Sequence, residues 1–259
     1  MLYGLKLLVI CMITVPAALL AIVLGLFDSY GNQVHRITRV WSRLILAISG
    51  ITVKVKGLGQ LEPEHQYVFM VNHQSHIDIP VLAQSLPAFQ LRWIAKRELL
   101  WVPFFGWAMW SGKHITVNRR DRFDASGSLK KAKQRMKGGI CLVIFPEGTR
   151  SSDGHLLPFK RGGLLLAVKT QTPIVPVTIV GSSAILPKGD WRVRSGQIEV
   201  TVGAPVAVES YRPGALRALS GYVQELIEGN LQTASQLMKE TDKESSYDNG
   251  QATRGETTV

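Results

Sequence analysis

The sequence predicts an α/β fold in which a mixed sheet is flanked by helices and is preceded by a membrane-anchoring helix and an amphipathic helix. Three observations predict this. Short apolar or alternating runs typical of strands recur along the chain, separated by segments with helical spacing. An uncharged apolar stretch occupies residues 7–27. A segment with apolar residues on one helical side and arginines on the other follows that stretch. The alternation of strands and helices favours a sheet covered by helices on both faces.

The strand-like runs begin after residue 50. Predicted strands cover residues 51–55, 67–71, 91–95, 114–118, 140–145, 174–180 and 197–203. Predicted helices cover residues 76–86, 124–137 and 163–169, and a further helix follows Pro213. These patterns divide the chain into residues 1–48 (membrane anchor and amphipathic interfacial helix), 49–238 (the functional domain) and 239–259. The last segment is polar, which predicts a disordered tail.

The apolar stretch is 21 residues long and carries no charge. As a helix it is about 30 Å long, enough to cross the hydrocarbon core of a bilayer. A cleaved signal peptide is the alternative, although the run is longer than usual for one and only Lys6 precedes it as a charge. Lysine and arginine are more frequent after this span than before it, which predicts that the rest of the chain is cytoplasmic.

The segment after the apolar stretch has the spacing of an amphipathic helix. Its apolar side is formed by Val34, Ile37, Trp41, Leu44 and Ile48, and its basic side by Arg36, Arg39 and Arg43. Such a helix suits an anionic membrane interface. A helix packed on the protein core with a solvated basic face is the alternative.

The net charge of the chain limits the kinds of binding partner that we expect. The chain has 30 Lys and Arg against 19 Asp and Glu, a formal net charge of +11. Nucleic acid, an anionic membrane and phosphorylated substrates are the polyanions that fit such a protein. A basic run covers residues 119–137, but the chain contains no nucleic-acid-binding motif, so we expect no nucleic-acid partner. Cys11 and Cys141 both lie in apolar runs, without the spacing of a disulfide framework or a metal site.

The stretch VNHQSHIDIP, residues 71–80, places two histidines and an aspartate directly after a predicted strand. On a continuous helix, His73 and Asp78 point away from each other. If the helix begins after His73, Asp78 can reach back to the imidazole, fix its tautomer and leave the other ring nitrogen as a general base. Two alternatives stay open: a metal site that uses His76 as well, and simple helix capping.

A second polar cluster follows another predicted strand, in FPEGTRS, residues 145–151. Arg150 offers a planar fork for a phosphate group. The following LPFKRGG places Lys160 and Arg161 ahead of a predicted helix, where an anion is favoured. Pockets in α/β sheets lie beyond the carboxyl ends of strands, so His73 and Glu147 are expected to share one crevice.

Several chemistries lack sequence support. The chain contains no G-x-S-x-G elbow, no Walker A sequence and no G-x-G-x-x-G fingerprint, so neither a serine acyl-enzyme nor ATP or dinucleotide binding is predicted. A metal-dependent hydrolase stays open as an alternative function. Loss of activity when a chelator removes metal would favour it. The run LLWVPFFGWAMW, residues 99–110, is too short to span a bilayer. It either lines an apolar groove, lies at the interface or belongs to the core.

Four segments together resemble the glycerolipid acyltransferases. NHQSHID carries a histidine and an aspartate separated by four residues, FPEGTRS matches the second hallmark, KHITVNR resembles the arginine motif between them, and IVPV resembles the fourth motif. The resemblance runs from the apolar amino terminus to about residue 235. It implies the transfer of a fatty acyl group from a thioester to a glycerol hydroxyl, which requires no covalent enzyme intermediate.

The resemblance also implies residue roles. His73 matches the catalytic base and Asp78 its orienting partner. The positions implied for substrate binding are Arg119, Glu147, Gly148, Thr149, Arg150 and Lys160. One departure concerns the arginine motif, because Lys113 stands where the family has glycine and Gly112 is separated from Arg119 by six residues. Arg120 is therefore the alternative to Arg119.

The resemblance implies lysophosphatidic acid as the acceptor and phosphatidic acid as the product. Another lysolipid, such as lyso-ornithine lipid, stays open as the acceptor, and the donor is either acyl-CoA or acyl carrier protein. We expect no metal and no cofactor beyond this co-substrate. The expected location is the inner membrane of a bacterial cell, with the catalytic domain on its cytoplasmic side and membrane lipids as partners.

Overall fold

The structure is a computed structural model that describes residues 2–117, 124–136 and 138–252. Its helices are α1 (Leu2–Leu26), α2 (Asn32–Ser49), α3 (Asp78–Ser85), α4 (Phe105–Ser111), α5 (Asp124–Met136), α6 (Arg161–Thr170), α7 (Ser182–Ile185) and α8 (Leu216–Ala252). Its strands are β1 (Ile51–Lys56), β2 (Val68–Val71), β3 (Gln90–Lys96), β4 (Ile115–Val117), β5 (Ile140–Ile144), β6 (Ile174–Val180) and β7 (Gly196–Val202). Short 3₁₀ turns cover Leu58–Gln60, Arg97–Trp101 and Pro213–Ala215.

The strands of the described residues form one mixed sheet in the order β1-β7-β6-β2-β5-β3-β4. Neighbouring strands are parallel except for β6 and β7, which are antiparallel. The central strands β2, β5 and β6 are buried along their whole length. Their continuous apolar sequences follow from this position, because a strand covered on both faces has no solvent side. The predicted mixed α/β fold is confirmed.

Successive residues of β2 point into two separate cores. Phe69 and Val71 belong to a core that includes residues of α2 and α3, whereas Val68 and Met70 belong to one that includes residues of α5, α6 and α8. This is the alternation that a strand imposes. Layers of helices on both faces hold the sheet rigid, so the loops at the carboxyl ends of β2 and β5 start from fixed points.

Helices α1 and α2 form an antiparallel pair joined by the short link at residues 27–31. Lys6 Nζ donates to the Ser49 carbonyl (3.2 Å), and Trp41 Nε1 donates to Thr14 Oγ1 (3.0 Å), one contact at the open end of the pair and one near its middle. Within the described residues, α1 is the one helix that is long and apolar enough to cross a membrane. Most of its surface is exposed, with only 11% of its most apolar window buried.

Helix α2 buries a different side from the predicted apolar one. Its buried residues are Val34, His35, Ser42, Ile45, Leu46 and Ser49. Of the predicted apolar face only Val34 is buried, and Leu44 is 44% exposed. Because α2 packs against both α1 and α3, it partly follows the alternative of a helix packed on the core. Arg36 and Arg43 are exposed.

The predicted strands and the helices of the sheet agree with the structure to within two residues at their ends. Residues 118 and 137, at the ends of a predicted strand and a predicted helix, lie outside the described residues. The predicted disordered tail differs from the structure, in which α8 continues to Ala252. Extending an existing helix needs no new nucleus, so a polar sequence can continue it. Residues 253–259 lie outside the described residues.

Candidate active site

The site begins at Asn72, directly after β2, where a side-chain amide takes the place of a backbone peptide group in the hydrogen bonding of the sheet. The Asn72 amide donates to the carbonyl of Ile179 (2.9 Å) and accepts from its N–H group (2.7 Å). Asn72 is buried. Its amide therefore pairs with β6 as a peptide group would, one step beyond the last paired residue, Val71. This fixes the point at which the chain leaves the sheet towards His73.

His73 and Asp78 are in contact. Nδ1 of His73 lies 2.8 Å from Oδ2 of Asp78, whose side chain is fully buried. The contact is geometrically allowed because α3 begins at Asp78 and the intervening residues form a loop. An ionised carboxylate only accepts hydrogen bonds, so Nδ1 carries the proton and Nε2 keeps its lone pair. The histidine side chain is 16% exposed, which leaves it accessible from the site.

The FPEGTRS loop holds the other side of His73. The imidazole stacks on the Phe145 ring, with 3.9 Å between ring centroids and 17° between planes. The His73 N–H donates to Glu147 Oε1 (2.7 Å), and its carbonyl accepts from the Ser151 N–H (2.8 Å). The structure thus brings the two predicted clusters into contact beyond the ends of β2 and β5, as the shared sheet edge predicts.

Glu147 is the buried acid of this loop. It is 2% exposed, and its second oxygen, Oε2, accepts from the Leu157 N–H (2.9 Å). Burial raises the pKa of Glu147 to about 7, even though the backbone N–H groups of Leu157 and His73 act in the opposite direction. The next residue, Gly148, has φ of 73°. A side chain there would strain the turn that follows Glu147.

The predicted cations of the site differ in how exposed they are. Arg150 is half-buried. Burial lowers the pKa of the His76 imidazole, and the nearby positive charge of Arg150 lowers it further. Lys160 is exposed just before α6, with its N–H bonded to the Pro146 carbonyl (2.8 Å). Thr149 is exposed beside Arg150. Arg119 and its alternative Arg120 lie outside the described residues.

Three features of the site were missed in the sequence. Lys188 Nζ donates to the Arg150 carbonyl (2.9 Å), so a further cation lies beside the loop. Ser75 Oγ donates to the Leu186 carbonyl (2.8 Å), which ties the histidine loop to the same segment. Phe145 stacks on His73. The position of Phe145 beside Pro146 and Glu147 was the available signal for the stack, whereas Lys188 lies in a loop without any motif.

The metal alternative finds no support in the part of the chain that the structure describes. No three His, Cys, Asp or Glu side chains there are grouped closely enough to hold an ion. His73 and Asp78 are bonded to each other.

An exposed apolar surface lies on the same body of the protein. In the run 99–110, Trp101 is 85% exposed and Trp110 is 60% exposed, so the alternative that this run belongs to the core is wrong. Helix α4 packs against α1, where Ser111 Oγ donates to the Ala21 carbonyl (3.0 Å). The exposed aromatic residues of this run and the exposed face of α1 are therefore neighbours. Apolar surfaces of this kind mark interaction sites.

Comparison with known proteins shows the family of the chain. The family model described as Acyltransferase matches residues 52–180. The human protein "1-acyl-sn-glycerol-3-phosphate acyltransferase alpha" (Homo sapiens) is 36% identical over 190 residues, which cover 73% of this chain and 67% of the human one. The chain belongs to this acyltransferase family.

Two further relatives are a chloroplastic plant protein and a protein of solved structure. The chloroplastic "1-acyl-sn-glycerol-3-phosphate acyltransferase LPAT1" of Arabidopsis thaliana is 32% identical over 184 residues, 70% of this chain and 51% of that protein. The solved structure of the 1-acyl-sn-glycerophosphate (LPA) acyltransferase PlsC from Thermotoga maritima matches with a TM-score of 0.71 and 26% identity. That match covers 90% of this chain and 98% of the other. The chain spans about two thirds of the length of its mammalian relatives.

Proposed function

We propose that this acyltransferase transfers a fatty acyl group from a thioester donor to the free hydroxyl of lysophosphatidic acid, giving phosphatidic acid. The observation that carries the proposal is the bonded pair of His73 and Asp78 at the end of β2. The names of the relatives, which are 1-acyl-sn-glycerol-3-phosphate acyltransferases, support the choice of acceptor.

The chemistry requires one base and no covalent enzyme intermediate. Nε2 of His73 takes the proton of the acceptor hydroxyl while the oxygen attacks the thioester carbonyl. The new C–O bond forms the ester, the C–S bond breaks, and the proton goes to the leaving sulfur. Asp78 keeps Nδ1 protonated and stabilises the imidazolium that forms. General-base assistance of this kind contributes about 10²–10⁴-fold, and positioning and stabilisation of the oxyanion supply the rest.

We propose that the acceptor phosphate binds beside the FPEGTRS loop. Arg150 supplies a planar fork that can hold two phosphate oxygens, and its positive charge already acts on His76. Lys160 and Arg119 are the other proposed cations. A phosphate held there keeps the glycerol hydroxyl on the histidine side of the loop, because the loop itself contacts the ring and backbone of His73.

Membrane association is proposed through α1 and the aromatic run. Since α2 lies along α1, a helix α1 that crossed the bilayer would draw Arg36 and Arg39 into the hydrocarbon core at a large cost in free energy. Insertion of α1 into one leaflet, with the aromatic side chains of residues 99–110 at the headgroups, avoids this cost. The proposed location is the cytoplasmic side of a bacterial inner membrane.

The test is a panel of acceptors and donors with the purified full-length protein in detergent. Lysophosphatidate, lyso-ornithine lipid and monoacylglycerol are each offered with acyl-CoA and with acyl-loaded carrier protein. We expect the highest specificity constant for lysophosphatidate. Preference for lyso-ornithine lipid would contradict the proposed acceptor, and loss of activity on treatment with a chelator would favour a metal-dependent enzyme.

A further inference from the structure

We propose that Glu147 is a positioning residue for His73 and not a ligand of the substrate. This inference rests on the proposed function in one respect, the role of His73 as the base. The family resemblance leads one to expect a substrate-binding acid at position 147, and the contacts of the side chain point to a different role.

Both carboxylate oxygens of Glu147 face the protein backbone. Oε1 accepts the N–H group of His73 (2.7 Å), and Oε2 accepts that of Leu157 (2.9 Å). The residue is 2% exposed, so a lipid acceptor has little of the carboxylate to contact. A carboxyl group that accepts two backbone N–H groups links the loops that carry them.

The bridge acts on the residue that must be placed most accurately. The His73 N–H is held by Glu147, its carbonyl by the Ser151 N–H, and its ring by Phe145 and Asp78. Without the carboxylate, one of the two backbone anchors of His73 is lost, and the backbone that carries the ring can shift. A shift of about 1 Å at a reacting group lowers the rate about 10²-fold.

The expected kinetic signature separates positioning from binding. A residue that orients the base lowers kcat when it is changed, whereas a residue that binds the acceptor equally in the ground and transition states raises KM. In Glu147→Gln, one amide oxygen can still accept a hydrogen bond, but the NH₂ group faces a backbone N–H donor. Glu147→Asp keeps the charge and shortens the reach, so that one carboxylate cannot bridge both donors.

The experiment measures kcat and KM for lysophosphatidate and for the thioester in wild type, Glu147→Gln and Glu147→Asp, normalised to folded protein. Glu199→Gln is the matched control, because Glu199 is a buried carboxylate on β7, two strands from β2, and pairs with Lys56 (2.9 Å). A second readout needs no activity: amide hydrogen exchange of His73 in protein labelled with ¹⁵N-histidine, with the His114 amide, bonded to the Met109 carbonyl (3.2 Å), as internal reference.

We expect kcat to fall about 10²-fold in both Glu147 variants while both KM values change by less than about twofold. The His73 amide should exchange faster and the His114 amide should not, and Glu199→Gln should behave as wild type. A raised KM for lysophosphatidate with kcat unchanged would overturn the proposal. So would equal acceleration of the two amides, or failure of both variants to fold, since each assigns Glu147 to overall stability.

Failure of the proposed function is a separate outcome. If wild type makes no phosphatidic acid from either donor, the proposed acceptor reaction is wrong, whereas the His73 amide still reports whether Glu147 anchors that residue. Normal His73 exchange in both variants contradicts the positioning role whatever the reaction is.

Discussion

One oxygen of Asp78 carries the whole contact with His73. Oδ2 lies 2.8 Å from His73 Nδ1 and also accepts the N–H groups of Gln74 and Ser75, each at 2.9 Å. The other oxygen, Oδ1, is buried without a hydrogen-bond partner in the described part of the chain. Asparagine at this position can therefore keep all three hydrogen bonds on its single oxygen, so that the substitution removes the charge and little else.

Asp78→Asn is expected to lower kcat about 10³-fold while the protein keeps its fold. The lost attraction between a carboxylate and an imidazolium about 4 Å apart is about 4 kcal/mol in a partly polar site, which corresponds to that factor. Steady-state kinetics and thermal melts check this. Asp78→Ala, which also frees two backbone N–H groups, should in addition lower the melting temperature. His76→Ala is the control and should be mild. A similar rate in Asp78→Asn and wild type would mean that the charge of Asp78 does not contribute to catalysis.

Phe145→Leu tests the stack on the histidine. The ring contact is expected to contribute about 0.5–1.5 kcal/mol, so the specificity constant should fall by about two- to twelvefold. Phe145→Tyr keeps an aromatic ring over the imidazole and should remain near wild type. If leucine and tyrosine gave the same activity, the aromatic ring would have no part in holding His73.

Arg150→Ala tests the phosphate site. A charge-assisted hydrogen bond contributes about 1.5–3 kcal/mol, so use of lysophosphatidate should weaken by about ten- to hundredfold, while the already poor acceptor monoacylglycerol should lose little. Arg150→Lys should rescue only partly, because lysine supplies charge without the planar fork. Arg217→Ala, at an exposed arginine of α8, is the matched control. Equal losses with both acceptors would assign Arg150 to the fold or to the acyl donor.

The raised pKa of Glu147 predicts a pH dependence of stability. The folded pKa is about 7 and the ordinary value is 4.5, so between these values the folded protein binds more protons than the unfolded one. The contribution of Glu147 to the free energy of unfolding is therefore largest below pH 4.5. It falls by about 3 kcal/mol as pH rises to 7. The test compares the melting temperatures of wild type and Glu147→Gln in detergent from pH 5 to 8. The melting temperature of wild type should fall relative to that of the variant as pH rises. A constant difference would mean that Glu147 does not titrate in this range.

Membrane binding should depend on the exposed aromatic residues. The double variant Trp101→Ser and Trp107→Ser removes two large side chains that are both more than half exposed. Burial of such side chains contributes about 1.5–3 kcal/mol each, so co-sedimentation with anionic vesicles should weaken at least tenfold. Tyr222→Ser, at an exposed aromatic position on α8, should have no effect. Unchanged vesicle binding in the tryptophan variant would leave α1 as the sole membrane contact.

The sequence predicts the sheet well because the central strands are fully buried. ICLVI is wholly apolar and IVPVTIV is apolar except for Thr178, and short runs of this kind are typical of strands covered on both faces. The pairing of His73 with Asp78 is also predictable, because the two residues are close in sequence and the helix begins only at Asp78. In each case the signal lies within about ten residues.

The other features depend on contacts between distant segments. Glu147 reaches His73 across 74 positions in sequence and Leu157 across 10, and its chemistry alone suits a substrate ligand equally well. The buried side of α2 is set by α1 and α3, which a helical wheel does not contain. Lys188 contacts the Arg150 carbonyl from the turn after α7, where its own neighbours in sequence give no indication of function.

The central claim is that His73 is the base of an acyl transfer to lysophosphatidate. The measurement that tests it most directly is the rate at which purified wild type and His73→Ala form phosphatidic acid from labelled lysophosphatidate and a saturating thioester, at equal folded concentration and pH. The proposal predicts product with wild type and a loss of at least about 10²-fold with His73→Ala, with unchanged melting and vesicle binding. Near-normal turnover by His73→Ala, or no phosphatidic acid from wild type, would contradict it.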